Sequence, residues 1–337
     1  MDAGFFSSSR RLRLSIGTRF DRSERQGYYI DLTSKATQVG AWQSPWWLKD
    51  GMGHVPLAQL GLGHFELYAA DGAEEQLAFA RTAADHLVAT QVREPGVELG
   101  GWRHTFPYEH RAPLNPPWLS AMAQGEAASL LTRLAAETGD ARYTEAAVLA
   151  LRPLSVPVEA GGVLGEVDGR PFPEEYPTSP QSHVLNGAIF ALWGARDVAL
   201  ATGDAAARTL HDELLATLVA TCDRWDTGRW SRYDLYPEPP QNVSSSFYHH
   251  LHISQFRALE RLYGAEEFGA LAGRFEAYEA KRRLRLEAFA RKVSYRIAIP
   301  RHRISRDPQA GAVEAATAGP SRQLLLKILR LHPIRRS

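Results

Sequence analysis

The stretch LAAETGDARYTEAA, residues 134–147, decides the fold of this chain. It predicts a helix that ends at Gly139, where a left-handed residue is needed, and a second helix that Asp140 can cap. The same pattern recurs in LYAADGAEEQLAFA (67–80), LATGDAAARTLHD (200–212) and ERLYGAEEFGALA (260–272), and the four breaks follow at intervals of 67, 64 and 61 residues. Such a repeat predicts a mainly α fold, either an α/α toroid, that is, an incomplete barrel of about four helical hairpins, or a solenoid. Unrelated helices that share common capping chemistry are the alternative.

The rest of the chain suggests three parts. Residues 1–53 form an N-terminal arm, in which GYYIDLTSKA (27–36) alternates weakly and predicts a short strand or hairpin, a small N-terminal β-region. Residues 54–290 carry the hairpins and are expected to be the catalytic toroid. Residues 291–337 are a basic C-terminal tail that ends in a short amphipathic helix candidate, SRQLLLKILRLHP.

Charge and composition narrow the classes of function. Residues 281–337 hold 15 Lys and Arg against 3 Asp and Glu, whereas residues 1–280 hold 24 against 35. The basic tail could touch an anionic membrane surface, an acidic glycan or the acidic body of the fold, or it could simply be solvated. Zinc-finger spacing, a P-loop and a dinucleotide fingerprint are lacking, so we expect no nucleic-acid partner.

The N-terminus lacks the apolar stretch of a signal peptide, and the sequence contains no run of eighteen apolar residues. Cys222 is the only cysteine, so the chain can form no internal disulfide. We therefore expect a cytoplasmic protein. The basic tail could attach this protein to a membrane.

Three long loops between the hairpins are rich in glycine, proline and aromatic residues, at 92–118, 156–180 and 225–250. Long ordered loops in compact domains tend to carry function. If the helices close into a ring, these loops can open on one rim and line a cleft. Their ends are rich in residues that can perform acid–base chemistry or bind a sugar: Gln124, Glu174, Glu175, Tyr176, Asn186, Tyr233, Asn242, Tyr248, His249 and His252.

Four strings in these regions carry a family resemblance: PPWLSAMAQGEA (116–127), EEYPTSPQSHVLNG (174–187), WSRYDL (230–235) and YHHLHI (248–253). In this order and at these separations they resemble the C-terminal catalytic domain of the D-glucuronyl C5-epimerases. HVPLAQLGL (54–62) is similar to the stretch that leads into the first helix of that family. The resemblance runs from about Tyr28 to Tyr278 and implies an α/α toroid, usually in a homodimer. It also implies activity on glucuronic acid units of an unsulfated or N-sulfated glycosaminoglycan such as heparosan or a heparan sulfate precursor.

Site residues follow from the resemblance position by position. It implies that Glu175 and Tyr176 are the catalytic glutamate and tyrosine and that Tyr233 and Tyr248 are two further active-site tyrosines. Substrate contacts are implied at Asn186, Asn242, His249, Gln124, Phe190, Phe106, Glu109, Tyr28, Tyr29 and Gln59. The chain departs from animal members at Tyr236, where those carry a basic residue, and in lacking most of their N-terminal β-region.

The chemistry explains why such residues are needed. Epimerisation removes the proton on carbon 5, which is α to a carboxylate, and returns a proton to the opposite face, so a base and an acid must flank the ring. Donors must also stabilise the dianion that develops on the carboxylate. We prefer Glu175 as the base and Tyr248 as the acid, and the opposite assignment stays open. A tyrosine base would need a nearby cation, which His249 or Arg232 could supply.

Plainer interpretations exist for each residue. Tyr233 and Tyr248 could anchor packing with one hydroxyl bond, and Glu175 could cap a helix. We expect Glu174 to be a solvated neighbour or a charge at the helix entry. The histidines lack carboxylates at ligand spacing and the chemistry needs no cofactor, so we expect no metal.

Other functions use part of the same chemistry. A polysaccharide lyase also abstracts the proton on carbon 5, and a glycoside hydrolase using Glu174 or Glu175 is a weaker alternative. A glycan-binding protein without turnover is the alternative outside the enzymes.

Overall fold

A computed structural model of the protein describes residues 27–36, 53–92 and 100–300. Its helices are α1 (Thr33–Ala36), α2 (His54–Asp71), α3 (Glu74–Thr90), α4 (Ala121–Thr138), α5 (Ala141–Leu151), α6 (Leu185–Thr202), α7 (Ala205–Thr221), α8 (Ser246–Tyr263), α9 (Glu266–Ala280) and α10 (Arg282–Ala298). The mainly α prediction is confirmed, whereas closure of the hairpins into a toroid stays a prediction.

Short antiparallel pairs of strands lie in the loops between the hairpins. The strands are β1 (Arg103–His104), β2 (Tyr108–Glu109), β3 (Pro113–Leu114), β4 (Trp118–Leu119), β5 (Leu164–Val167) and β6 (Arg170–Pro173). β1 pairs with β4, β2 with β3 and β5 with β6. The first two pairs shape the loop before α4, and the third leads directly into the turn before α6.

The hairpin breaks have the predicted chemistry. Gly72, Gly139, Gly203 and Gly264 end the first helix of each pair with φ of 77°, 72°, 70° and 67°. This left-handed conformation is costly for residues with a side chain, so glycine fixes the helix end. At two of the breaks the following aspartate caps the second helix, because Asp140 accepts from the N–H of Arg142 and Asp204 from that of Ala207.

The first helices of the hairpins form the inner layer of the domain. α2, α4, α6 and α8 contact one another in that order, and α3, α5, α7 and α9 pack outside them. The contact between α4 and α6 depends on two glycines, since a Cβ on Gly125 or on Gly194 would lie 2.5 Å from backbone of the facing helix. Every residue of α4 from Ala121 to Leu134 is buried, as expected of a helix surrounded by protein.

Residues 27–36 are not the predicted strand. They form bends followed by α1, and the backbone N–H groups of Tyr28 and Leu32 donate to the buried Glu66 carboxylate at 3.0 and 2.6 Å. Tyr28, Tyr29 and Ile30 are all buried, so the alternation of a half-exposed strand is lost. A buried carboxylate thus takes the backbone donors that a neighbouring strand would otherwise have bonded.

The domain boundaries stay a prediction. Residues 1–26 and 37–52 of the predicted arm, and residues 301–337 of the predicted tail, lie outside the described residues. α10 runs across the boundary placed between residues 290 and 291. In the described ranges, no helix combines the length and the apolar character that a membrane span requires.

Candidate active site

The turn after β6 is fastened by Glu174. This glutamate is fully buried, and its Oε2 accepts hydrogen bonds from the N–H groups of Ser182 (3.3 Å) and His183 (2.9 Å) and from the Ser182 hydroxyl (3.1 Å). His183 Nδ1 lies 2.6 Å from Glu174 Oε1, and the His183 backbone has a left-handed φ of 50°. The expectation of a solvated Glu174 is wrong, because its carboxylate satisfies donors that would otherwise be buried without partners.

Glu175 points the other way, into the interior beside α6. Its side chain is 6% exposed, and Asn186 Nδ2 donates to its Oε2 at 3.3 Å. Burial raises the pKa of Glu175 to about 7, against hydrogen bonds from Tyr176 and Asn186 that lower it. Gly187 makes the approach to α6 possible, since a Cβ there would lie 2.6 Å from Glu175 Oε2.

Tyr176 connects the glutamate to the aromatic loop before α4. Its ring stacks with that of Tyr108 on β2, at 5.1 Å between centroids, and with that of His110, at 4.5 Å. Burial, and secondly the charge of Glu175, raises the pKa of the Tyr176 phenol well above its usual value. The phenol is therefore protonated at neutral pH and is a hydrogen-bond donor.

Tyr233 and Tyr248 complete the group that we call the Glu175 cluster, comprising Glu175, Tyr176, Tyr233 and Tyr248. The rings of Tyr233 and Tyr248 meet edge to face at 4.7 Å, and Tyr176 is close enough to Tyr233 to influence its pKa. Burial first and then the Glu175 charge raise the pKa of Tyr233 well above its ordinary value. The structure thus brings all four predicted catalytic residues together from two separate loops and the first turn of α8.

A polar network behind Tyr233 includes residues that the sequence did not single out. Asn242 Nδ2 donates to Asp234 Oδ2 at 2.5 Å, and Lys292 on α10 donates to Asn242 Oδ1 at 2.7 Å. Asp234 also contacts Nε2 of His110 at 3.1 Å. The Lys292 ammonium lies 5.6 Å from the centre of the Tyr233 ring, a cation–π distance. Both ends of the Asn242 amide are therefore occupied by protein groups, and the network supports the cluster.

His249 lies in the interior of the domain. Its ring stacks on Trp230 at 3.6 Å, while Nδ1 contacts the Ser231 hydroxyl at 2.8 Å and Nε2 contacts the carbonyl of Phe275 at 3.1 Å. Burial lowers the pKa of His249 to about 4, so the ring is neutral at neutral pH. A neutral His249 cannot be the cation that we expected beside a tyrosine base.

Three predicted substrate contacts lie in or next to the loop before α4. Gln124 is fully buried, and its Oε1 accepts from the N–H of Trp102 at 3.2 Å, which ties that loop to α4. Phe106 packs edge to face on Trp118 at 5.7 Å, and Glu109 is exposed in β2 next to Tyr108. Gln124 is thus committed to internal bonds, whereas Phe106 and Glu109 share a hairpin with the stacking partners of Tyr176.

The remaining predicted contacts lie in a second buried group. Tyr28 stacks on Phe190 at 6.3 Å, and the Tyr29 hydroxyl donates to Asp197 Oδ1 at 2.5 Å. Arg133 donates to Asp197 Oδ2, also at 2.5 Å, with both side chains buried. We call Tyr29, Arg133 and Asp197 the arm cluster. Its members pack between the N-terminal arm, α4 and α6, and the binding roles of Tyr28, Tyr29 and Phe190 stay predictions.

Glu126 connects the Glu175 cluster with the buried group that contains Tyr28. Glu126 is fully buried and accepts a hydrogen bond from Gln59 Nε2 at 2.9 Å. Burial raises the pKa of Glu126 to about 8, and the nearby charge of Glu175 contributes to this rise. Gln59, a predicted substrate contact, is therefore linked to the Glu175 cluster through this second buried carboxyl. The string MAQGEA contains Glu126, but nothing local in the sequence indicates that it approaches Glu175.

Hairpins of helices whose loops gather a buried glutamate and three tyrosines define a mainly α domain with a candidate acid–base site. The chain belongs to the D-glucuronyl C5-epimerase family, since the family model described as D-glucuronyl C5-epimerase C-terminus matches residues 96–277. The match includes every member of the Glu175 cluster and ends before α10. Among the described residues, no group of three or more His, Cys, Asp or Glu is arranged to hold a metal ion.

The chain is also similar to two curated proteins, one of which is named as a D-glucuronyl C5-epimerase. The chain is 31% identical over 216 residues to a D-glucuronyl C5-epimerase of Caenorhabditis elegans, covering 58% of this chain and 34% of that protein. It is 32% identical over 181 residues to an uncharacterised protein of Methanocaldococcus jannaschii, covering 52% of this chain and 57% of the relative. The chain thus spans about a third to somewhat over half of the length of these relatives.

Proposed function

We propose that the protein is a polysaccharide uronate C5-epimerase that converts D-glucuronate to L-iduronate units in a heparosan-like chain. The observation that carries the proposal is the Glu175 cluster, in which a buried carboxyl with a pKa of about 7 contacts protonated phenols. A base whose pKa lies near neutrality is suited to general base catalysis. Family membership supplies the substrate class, an acidic polysaccharide.

The reaction needs two proton transfers at one carbon. The Glu175 carboxylate takes the proton from carbon 5, and the electron pair of that C–H bond moves into the substrate carboxylate to give a dianion. Tyr248 then donates its hydroxyl proton to the opposite face, the pair returns to carbon 5, and the configuration is inverted. Solvent restores both groups. The reverse assignment, with Tyr248 as base, uses the same atoms and stays open.

The dianion must be stabilised in place, because an α-proton beside a carboxylate is weakly acidic. The protonated phenols of Tyr176 and Tyr233 are donors suited to the substrate carboxylate. Lys292 adds a positive charge next to the Tyr233 ring and orients Asn242. Lys292 is thus the cation next to the Tyr233 ring, whereas the His249 ring is neutral and Arg232 Nε donates to the carbonyl of Asp234 at 3.0 Å.

The experiment that tests the proposal is incubation of the protein with heparosan in deuterated water. Proton NMR should show loss of the carbon-5 signal of glucuronate and appearance of iduronate, with chain length unchanged. Tyr263→Phe is a matched control, because Tyr263 lies on α8 beyond the cluster and contacts His211 at 2.9 Å. An unsaturated product that absorbs in the ultraviolet would assign a lyase instead. Binding without isotope exchange would assign a glycan-binding protein.

We also propose a homodimer, as the family resemblance implies, and it can be tested by light scattering of the purified protein. The preferred polymer and its sulfation can be ranked by offering unsulfated and N-sulfated chains to the same exchange assay. Cytoplasmic localisation stays a prediction.

A further inference from the structure

α10 has two faces of opposite character. One face is buried: Ala288 packs against the loop after α7, Tyr295 is also buried, and Lys292 lies between these two residues at helical spacing. The opposite face carries Leu286, Phe289, Val293 and Ile297, which follow one another at intervals of three and four residues. This interval places the four side chains in one row along the helix, which we call the apolar row.

The apolar row is exposed. Leu286, Phe289 and Ile297 are 59%, 57% and 63% accessible to solvent. In the part of the chain that the structure describes, the only other large hydrophobic residue with comparable exposure is Leu200 on α6, at 42%. A single exposed leucine is ordinary on a protein surface, whereas an aligned row is typical of a binding face.

Basic residues border the apolar row. At 100° per residue, Arg285 and Arg296 lie on one flank of the row and Arg283 lies on the other. The one acidic residue of the helix, Glu287, forms an ion pair with Arg229 at 2.9 Å. An apolar stripe between cations is the pattern of helices that lie in the surface of an anionic bilayer.

We propose that α10 is an interfacial helix that lays its apolar row on a bilayer with anionic, phosphate-bearing headgroups. Charge favours this occupant over a second copy of the chain, because two such helices would bring like charges together. The same repulsion disfavours the segment 301–337, which is itself basic. An acidic polysaccharide would match the arginines but would leave three large apolar side chains in water.

The site and the proposed interface share one helix. Lys292 reaches Asn242 from the buried face, so binding through the apolar row leaves the contacts of the Glu175 cluster in place. The helix would lie on the bilayer without crossing it, because its exposed face carries arginines at both flanks. The interface is independent of the proposed epimerase activity, and the two can fail separately.

The test is flotation of the full chain with vesicles of phosphatidylcholine alone and of equal parts phosphatidylcholine and phosphatidylglycerol. We expect binding to the anionic vesicles that weakens as salt is raised. The variant with Leu286→Ser, Phe289→Ser and Ile297→Ser should lose about tenfold or more of this binding, since interfacial binding scales with buried apolar area. Leu200→Ser is the matched control and should bind as the parent chain does.

A second variant with Arg283→Gln, Arg285→Gln and Arg296→Gln should bind less and should lose most of the salt dependence. Circular dichroism and isotope exchange on soluble heparosan should match the parent chain for both variants. Three results would overturn the proposal: no binding to anionic vesicles at low salt, undiminished binding by the serine variant, or a serine variant that changes only the oligomeric state or polysaccharide binding.

Discussion

The arm cluster and the Glu175 cluster are both buried groups of carboxyl and tyrosine side chains, but only one of them balances its charge. In the arm cluster, Asp197 accepts from the Tyr29 hydroxyl on one oxygen and from Arg133 on the other. Among the described residues, no arginine or lysine forms an ion pair with Glu175, and burial raises its pKa to about 7. A tyrosine next to a carboxylate is therefore not in itself a catalytic arrangement.

Pairing of the buried carboxylate with a cation is the difference between a structural site and a chemical site in this fold. In a paired carboxylate, donors hold both oxygens in the folded state, and they stabilise the charged form of the group. An unpaired buried carboxyl keeps its affinity for a proton and can exchange one near neutral pH. The predictions below change one cluster at a time and ask whether activity and stability separate as this contrast requires.

Glu175→Gln should have the largest effect. It removes the proposed base while keeping a side chain of the same size, so isotope exchange at carbon 5 should fall by about 10² to 10⁴-fold. Stability in urea should stay close to that of the parent chain, because no ion pair is lost. NMR exchange assays and urea unfolding measure the two effects. Exchange at the parent rate would remove Glu175 from the mechanism, and Glu213→Gln, at an exposed position of α7, is the matched control.

Asp197→Ala should lower stability and leave the exchange rate nearly unchanged, the opposite of Glu175→Gln. Breaking a buried ion pair leaves Arg133 charged without its partner, and the free energy of unfolding should fall by about 3–5 kcal/mol. The exchange rate per folded molecule should change little, since Asp197 belongs to the arm cluster. Denaturant unfolding and exchange at a temperature where the variant is folded give both values. A stable variant that has lost exchange would place the arm cluster in the chemistry.

Features with a local cause could be predicted from the sequence. The left-handed glycines and the capping aspartates at the hairpin breaks each depend on a few neighbouring residues, and they lie where the pattern indicates. Glu175, Tyr176, Tyr233 and Tyr248 could be named because each falls in a string that resembles the family. Their meeting in one cluster follows from the hairpin repeat, which brings successive loops together.

Features that depend on distant partners could not be predicted. Lys292 lies 50 residues beyond Asn242, on a helix outside the family match, and no local pattern connects the two residues. Glu174 and Glu175 are adjacent in sequence, yet one fastens a turn and the other faces the tyrosines. The arm at 27–36 alternates like a strand, but the Glu66 carboxylate on α2 takes its backbone donors.

Lys292→Met should lower kcat/KM by about tenfold to a hundredfold, the usual range for losing a hydrogen bond to a charged group. The fold should persist, because the methionine side chain can still fill the space over the Tyr233 ring. Lys292→Arg should recover part of the activity, which a purely packing role would not explain. Arg291→Met is the matched control, since Arg291 contacts Gln241 at the surface. Equal losses at both positions would mean that α10 acts through packing alone.

A change of pH should have the smallest effect on activity. The dependence of kcat/KM on pH should decide which residue is the base and which is the acid. If Glu175 is the base, only its ionised form is active, so kcat/KM should fall about tenfold per pH unit below its pKa of about 7 and level off above it. If Tyr248 is the base, the rise should continue well above pH 7, because phenols ordinarily ionise near pH ~10. Asp197→Asn should leave the profile unchanged, since Asp197 belongs to the arm cluster and its hydrogen bonds to Tyr29 and Arg133 involve no member of the Glu175 cluster. A profile that is flat between pH 6 and 8 would contradict Glu175 as the base and would leave its raised pKa as a consequence of burial alone.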